Sequence, residues 1–544
     1  MNRRDFLIGA TLIAGGTAFG FYNLPEPMPN PLLPGLKPGE AALTPYVLID
    51  QTGITIIAPR AEMGQGVHTT LAALVAEELD VALDQVNVVH GPASKAYANT
   101  ASIAEALPFA DVDESTFANL ARNIAPHLGG LVGLQSTGGS TSMRDGFNKM
   151  REAGAAARIA LLEAAANRWG VNVSSLSTNN GNVIKASGET LSYQDLAIEA
   201  ATIELPSSPQ LKHPSEWKLL GKSQPRVDMQ SKCTGTALFS IDVQLPNMLY
   251  ASVRSNPHLD AAMISFDATG VTVMPGVEQV VALENGVAVI ASNSWYAMQA
   301  VKAIRCEWQQ PSYAVNSDAL SAQVDAAFNA DSLDGIARDD GDIETVLANN
   351  ATIEGEYSVP YLAHAAMEPL NATALVEGKH LSLWIGTQNP TQVKNVAAEL
   401  TGFAAANIQV HTTLMGGGFG RRFEADYAKQ AILLALKMPG RPVKLTWSRE
   451  EDTMQDHYRP SATSRFEGGL DKDGKAVSWS NVHTHLFDPQ EAPTVPYYNI
   501  ANHKIRKVDV PTHLRFGPWR SVDHSQHGFF IESFVDEMAH AAGK

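Results

Sequence analysis

The sequence predicts a mixed α+β protein of several domains. Three observations carry that expectation. Alternating and β-branched stretches recur between segments of helical spacing, 544 residues exceed what one core organises, and no repeat of solenoid or propeller length is present. A hydrophobic content of 44% is that of a globular chain. The formal charge of −17 argues against general nucleic-acid binding, which needs a basic footprint. Cys233 and Cys306 are the only cysteines and no CxxC occurs, so the chain cannot hold an iron–sulfur cluster by itself. The pair reads either as one disulfide or as two buried thiols.

Residues 1–20, MNRRDFLIGATLIAGGTAFG, read as a targeting segment. Arg3 and Arg4 precede an apolar run, Phe6 to Phe19, shorter than the roughly 20 residues of a spanning helix. Paired arginines followed by Phe and Leu resemble a twin-arginine export signal, the alternative being a basic N-terminus before a buried helix. Export implies a periplasmic location, with membrane association if the segment stays uncleaved. Residues 21–45 form a proline-rich linker.

Segment 46–210 comes next. YVLIDQTGITIIAP predicts a hairpin turning at Asp50–Gly53, and HTTLAALVAEEL a helix over 68–79 that buries Leu71, Leu74 and Val75 on one face. NVVHGPA predicts another strand. Alanine-rich MREAGAAARIALLEAAANRW, 150–169, is the strongest helix of the chain. After a looser stretch, 202–216, region 217–310 is strand-rich, 311–345 reads as a linker, and 346–480 alternates strands and helices. Residues 481–544 end in the helix FFIESFVDEMAHAAGK. His483 and His485 have no third ligand at a recognisable spacing and read as structural.

Three glycine-plus-polar loops stand at helix entrances. MGGGFGRRFEADYAKQ, 415–430, lies between a strand, IQVHTTL, and a helical run. Such a unit points backbone N–H groups and a helix N-terminus at a docked phosphate or other anion. Glycine is expected there because a Cβ would hold a ligand off and disfavours positive φ. The alternative is a tight turn with exposed arginines. GxGxxG fails because Arg421 occupies its last glycine, and a P-loop fails because Glu216 replaces the first glycine ahead of Gly221–Lys222–Ser223. In AEMGQGVHTT, 61–70, Gln65 stands between Gly64 and Gly66 and can donate to and accept from a ligand edge. QSTGGSTSMRDGF, 135–147, gathers Ser140, Thr141 and Ser142, where capping explains one hydroxyl and not the cluster. Together the loops suggest one extended anionic ligand.

In combination EMGQG, GGSTS and GGGFGRR resemble the molybdopterin-binding subunit of the xanthine dehydrogenase and aldehyde oxidase family, and within it the isoquinoline 1-oxidoreductase β-subunit type. PRVDMQSKCTGTALFSIDVQLPNMLYASV, 225–253, resembles the family's a/b hammerhead domain through Arg226, Asp228, Lys232 and Gly235. YLAHAAMEPLNATA and LWIGTQNPTQ resemble the first molybdopterin-binding domain, and 481–544 the start of an incomplete second one. GPWRSVDHSQ resembles a segment carrying an arginine near the metal, here Arg520. The resemblance implies cofactor-binding roles for Gln65, Gly66, Gly139, Ser140, Thr141, Ser142, Gly417, Gly418, Phe419, Gly420, Arg421 and Arg520. It implies a substrate pocket at Leu362, His364, Glu368 and Phe419, with a hydrogen-bonded core role the alternative for His364 and Glu368, while Arg421 and Arg422 are open to a cofactor phosphate or a neighbouring acid.

The resemblance further implies hydroxylation of an aldehyde or N-heterocycle with water as oxygen donor. It implies a molybdopterin dinucleotide (the cytosine form), a small [2Fe–2S] subunit and a cytochrome c-type acceptor. No protein ligand set for a metal is identified. Two departures stand out. Leu362 occupies a position where many members carry glutamine, and leucine donates no hydrogen bond. The family's Gly-x-Gly-Glu segment with the catalytic glutamate is absent, since Glu40, Glu189 and Glu356 follow a glycine without the rest of the motif. No catalytic base is assigned, and the chain reads as C-terminally truncated. Two other readings stay open: a non-catalytic exported cofactor-binding or scaffold protein, and an exported solute-binding protein.

Overall fold

The structure, a computed structural model, describes residues 29–544 apart from 103–106, 108–114, 260, 314–315, 329–334, 486–491, 494–497 and 511. The twin-arginine stretch and residues 21–28 of the proline-rich linker lie outside the described residues, and the end of that linker, Ala41–Thr44, is a strand rather than a tether. The first sheet runs Ala41–Thr44, Val47–Asp50, Gly53–Ala58, Val86–His90, with only the last pairing parallel. Asp50 makes the expected hairpin turn, its Oδ1 accepting from the Thr52 and Gly53 amides at 2.6 and 3.0 Å.

Helix α1 (Val67–Leu79) crosses this sheet and helix α2 (Thr141–Trp169) covers it. The sequence predicts one buried face on α1. In the structure every residue of α1 except Thr70 is buried, because the sheet holds one side and α2 the other. Close approach of the helices explains two glycines on α2. A Cβ at Gly146 would lie 2.6 Å from Leu71 Cδ2, and one at Gly154 2.6 Å from the Val75 carbonyl oxygen. Helix α2 begins at Thr141 rather than 150, so the polar stretch ahead of the alanine-rich run is helical too. Asp145 anchors that extra turn through a buried ion pair with Arg60 and a 2.6 Å contact to Lys149.

The central sheet has seven strands in the order Val277–Leu283, Gly286–Ala291, Leu249–Ser255, Val443–Thr446, Asn371–Glu377, His380–Ile385, Ile408–Thr412. Its middle joint is the parallel pairing of Val443–Thr446 with Leu249–Ser255. Strands from 217–310 and from 346–480 therefore share one sheet, and helix α3 (Asp426–Ala435) packs on it. A five-stranded sheet follows, ordered Gly335–Asp340, Asn502–Asp509, Ala476–His485, Ala462–Leu470, Ala351–Val359. Helix α4 (His524–Ala541) buries Phe530, Phe534 and Met538 against it. The stretch 311–345 carries structure of its own, a helix at Ser317–Phe328 and the edge strand Gly335–Asp340. His483 is buried in its strand with its ring 5.1 Å from His527. Both cysteines are free, and Cys233 is exposed, contrary to a buried pair.

Candidate functional site

The strand Ile408–Thr412 leads into Met415–Gly420, and each glycine there meets a wall of the protein itself. The Gly416 amide donates to Glu368 Oε2 at 2.8 Å, and a Cβ at 416 would stand 2.5 Å from Glu368 Cβ. At Gly418 a Cβ would stand 2.8 Å from both Gln388 Oε1 and Met63 Sδ. At Gly420, φ is +112° and a Cβ would lie 1.7 Å from the Pro518 carbonyl oxygen. From the sequence, a ligand is expected where these Cβ atoms are missing. In the structure the close approaches at these Cβ positions are to 63, 368, 388 and 518. Phe419, at the tip, holds φ +57° and is 37% exposed.

The two arginines turn inward. Arg422 donates from Nε to the Gly417 carbonyl at 2.8 Å and from Nη2 to the Glu368 backbone oxygen and Oε2 at 2.8 and 2.9 Å. Arg421 makes a bidentate pair with Asp426 at 3.0 and 2.7 Å, and its Nε lies 3.0 Å from Asp456 Oδ1. Burial opposes the Arg421 charge, but Asp426 and Asp456 outweigh it and hold the guanidinium pKa above its ordinary value. Arg421 thus meets neighbouring acids, one of the two alternatives that its motif position left open. Glu368 is a brace rather than pocket wall: besides Gly416 and Arg422, its carboxylate accepts from Ile241 N and Asn371 Nδ2, each at 3.0 Å.

The EMGQG loop is organised by a residue sequence reasoning missed, Glu62. This buried carboxylate accepts from the amides of Gly64, Gly66 and His68 at 2.8, 3.1 and 3.1 Å, and from Arg226 Nη2 at 3.1 Å. Burial alone would raise its pKa, but the backbone donors hold it below the usual carboxylate value. An internal anion therefore occupies part of the α1 entrance. Arg226 also reaches the Gly64 carbonyl at 2.7 Å and pairs with Asp228, which Lys232 contacts at 2.5 Å. Gln65 does not offer its amide outward: Oε1 accepts from Met63 N at 2.8 Å and Nε2 donates to Ala61 O at 2.9 Å. Beside it, Gly64 and Gly66 spend their amides on Glu62 and contribute space rather than donors. Gly64 and Gly66 hold φ +112° and +83°, with nothing nearer than 3.9 Å to a Cβ at either.

Gln388, from the TQNP turn, ties the loops into one body. Its Nε2 donates to Thr137 O at 3.0 Å, its backbone oxygen accepts from Thr137 N at 2.8 Å, and its Oε1 accepts from Gly420 N at 3.1 Å. Thr137 Oγ1 in turn accepts from Ala61 N at 2.8 Å, and Met415 N donates to Glu62 O at 3.2 Å. The three loops, distant in sequence, are contiguous. Within the second loop Thr141 uses its hydroxyl internally, between Gly138 O and Asn99 Nδ2, which corrects its assignment as a ligand. Gly139 and Ser140 stay exposed at the α2 N-terminus with φ +60° and +54°, and Ser140 makes no capping bond. Ser142 is half-buried in the first turn.

The fourth wall is 517–522. Arg520 donates its amide to Phe419 O at 2.7 Å and its side chain is exposed. Ser521, Val522 and Ala365 hold φ +65°, +49° and +45°, conformations that cost a β-branched residue most. Strain is therefore gathered where this segment meets the turn. Leu362 is 46% exposed and pairs with Arg459 through backbone bonds of 3.1 and 3.0 Å. His364 is not in the pocket but buried behind it, between Asp456 and Pro518. Exposed residues of these segments include Phe419, Leu362, Arg520, Gly64, Gly139 and Ser140.

A molybdopterin cofactor-binding domain family matches residues 328–544, and a second molybdopterin cofactor-binding domain family matches 16–109. The isoquinoline 1-oxidoreductase beta subunit of Brevundimonas diminuta is 30% identical over 612 residues, covering 99% of this chain and 73% of that one. The chain belongs to this family of molybdopterin-binding large subunits. A nicotinate dehydrogenase subunit of Pseudomonas putida (strain KT2440) is 26% identical over 549 residues, covering 95% of this chain but 43% of its own. Quinoline 2-oxidoreductase from Pseudomonas putida 86 aligns in three dimensions with a TM-score of 0.48 and 20% identity, over 58% of this chain and 48% of that one. In the large subunit described here, the two cofactor-domain matches meet at the site: 61–66 lies in one, and 416–420 and 517–522 in the other.

The exposed set fits a molybdopterin. The entrance of a 29-residue helix, with left-handed backbone at Gly139 and Ser140, suits an anion, the absence of side chains at 64 and 66 leaves room for bulk, and Phe419 gives an apolar edge. Among the described residues no group of three His, Cys, Asp or Glu is arranged to hold a metal.

Proposed function

We propose that this large subunit holds a molybdopterin dinucleotide, in the cytosine form, across the three joined loops and oxidises an aldehyde or an N-heterocycle with water as oxygen donor. The observation that carries the reading is the junction at Gln388, which makes one surface of EMGQG, GGSTS and GGGFG. When bound, the group supplies two-electron redox chemistry. The chain does the rest: Gly139 and Ser140 open the α2 entrance to the anion, Gly64 and Gly66 leave room beside it, Phe419 and Leu362 line the apolar approach, and Arg520 places a positive charge at the rim. Nicotinate and isoquinoline in the relatives' names support a flat heteroaromatic substrate at Phe419. With two cysteines in the chain, electrons leave through a separate small subunit carrying [2Fe–2S] clusters, and a cytochrome c-type protein accepts them. The arginine pair at 3–4 supports export to the periplasm, with membrane association if the segment stays uncleaved.

A second reading, a non-catalytic cofactor-binding or scaffold protein, is favoured by one observation. Glu62 and Glu368, two carboxylates that brace the loops, are saturated by internal donors and cannot serve as a base in this geometry. Molybdenum and pterin content per chain, after expression in a host that makes the cofactor, tests both. About one metal per chain with turnover of aldehydes or N-heterocycles supports the enzyme, one metal without turnover supports the scaffold, and no metal removes both.

A further inference from the structure

Behind the glycine turn, one carboxylate and one imidazole close a ring of contacts. Asp456 Oδ2 accepts from the His364 amide at 2.5 Å and Oδ1 faces His364 Nδ1 at 2.9 Å. On the other side of the imidazole, Nε2 faces the Pro518 carbonyl oxygen at 3.0 Å. That same oxygen stands where a Cβ of Gly420 would be, and the next residue, Arg421, brings its Nε back to 3.0 Å from Asp456. The Trp519 ring centroid lies 4.4 Å from that of His364. Both neighbours of the imidazole are acceptors only, so the ring serves both only when both its nitrogens carry hydrogen.

We propose that His364 is a positioning residue of this site: donating from both nitrogens, it clamps the Pro518–Arg520 segment onto the Phe419–Gly420 turn. The clamp explains how strained backbone at Ser521 and Val522 is retained, and how the Arg520 amide stays on Phe419 O at 2.7 Å. It sets two exposed side chains, Phe419 and Arg520, in register. Releasing one side of the imidazole frees the segment without touching any exposed group. Burial pushes the Asp456 carboxyl up, but the His364 hydrogen bond and charge outweigh it and hold it below its ordinary value. The other charged groups facing the ring or its partners are Arg421 and, beyond it, Asp426, Asp452, His457 and Arg515. The inference rests on the molybdopterin reading only for what Phe419 and Arg520 meet. Its test needs no cofactor, so the failure of either is recognisable by itself.

The test is hydrogen–deuterium exchange of the full chain at a single pH, read on peptides covering 515–523 and, as control, 141–169, together with a spectrum of the histidine rings in 15N-histidine protein. His364→Phe keeps a flat ring beside Trp519 but removes both donors. It is expected to lower protection of 515–523 about tenfold, the scale of one charge-assisted bond, and to leave 141–169 unchanged. His457→Phe leaves 515–523 protected. The spectrum shows one ring with hydrogen on both nitrogens in wild type, and that signal is missing in His364→Phe. Protection of 515–523 retained in His364→Phe, or no such doubly protonated ring in wild type, overturns the proposal. Equal loss of protection at 141–169 in His364→Phe does so too, because the effect is then global.

Discussion

Gly420→Ala separates a glycine required by backbone conformation from one required by a neighbour. At φ +112° any other residue pays about 1–2 kcal/mol of local strain. The new Cβ would also stand 1.7 Å from Pro518 O, 2.4 Å from Pro518 C and 3.0 Å from Trp519 N. An ordinary carbon–oxygen contact is about 3.3 Å, so the segments must part by roughly 1.6 Å. Overpacking of this kind adds about 1–3 kcal/mol, because backbone and not a flexible side chain has to yield. The total is about 2–5 kcal/mol, and the movement breaks both the His364–Pro518 and the Arg520–Phe419 bonds. Gly402→Ala is the control: φ is +68° with nothing within 4 Å, so only the strain applies. Urea midpoints of the two variants, read with molybdenum per chain, check the difference. Gly420→Ala is expected to lose at least about 1 kcal/mol more than Gly402→Ala, together with most of the metal. Equal midpoints and equal metal content would refute the claim that Pro518 sits on the turn.

Glu62→Gln removes a carboxylate whose folded pKa is depressed, so its stabilisation is present above the ordinary carboxylate pKa and lost as pH falls through the folded value. Wild type is expected to lose more stability than the variant between about pH 7 and pH 3, with the variant about 1–3 kcal/mol weaker at pH 7 by urea midpoint. Gln388→Leu leaves the Thr137 carbonyl and the Gly420 amide without their side-chain partner; a loss of about 1–3 kcal/mol and a fall in cofactor content are expected, the latter by pterin release. Phe419→Ala, at an exposed tip, changes stability by about 1 kcal/mol or less while raising KM for flat heteroaromatics more than for small aliphatic aldehydes in steady-state assays.

The hairpin at Asp50, α1 and the alanine-rich part of α2 were legible because each is dictated by neighbours a few residues away. The true start of α2 was not, because Arg60, 85 residues upstream in sequence from Asp145, holds its first turn. The same limit appears at the site. EMGQG, GGSTS and GGGFGRR could be found as motifs, yet Gln65, Thr141 and Arg421 turned out to bond inward. Glu62 and Gln388 were missed, although the helix-entrance position of one and the TQNP turn of the other were the only signals available.

What the sequence determined by itself is local: where the chain can take positive φ, where helices start and strands alternate, and which three loops carry side-chain-free backbone. What only the tertiary structure decided is which donor meets which acceptor. Arg422 finds Glu368, Arg421 finds Asp426 and Asp456, and Gly420 finds Pro518 from a distant part of the chain. A buried charge or a missing Cβ constrains its partner's chemistry strongly but not its position in sequence, because any segment the fold brings within about 3 Å can satisfy it.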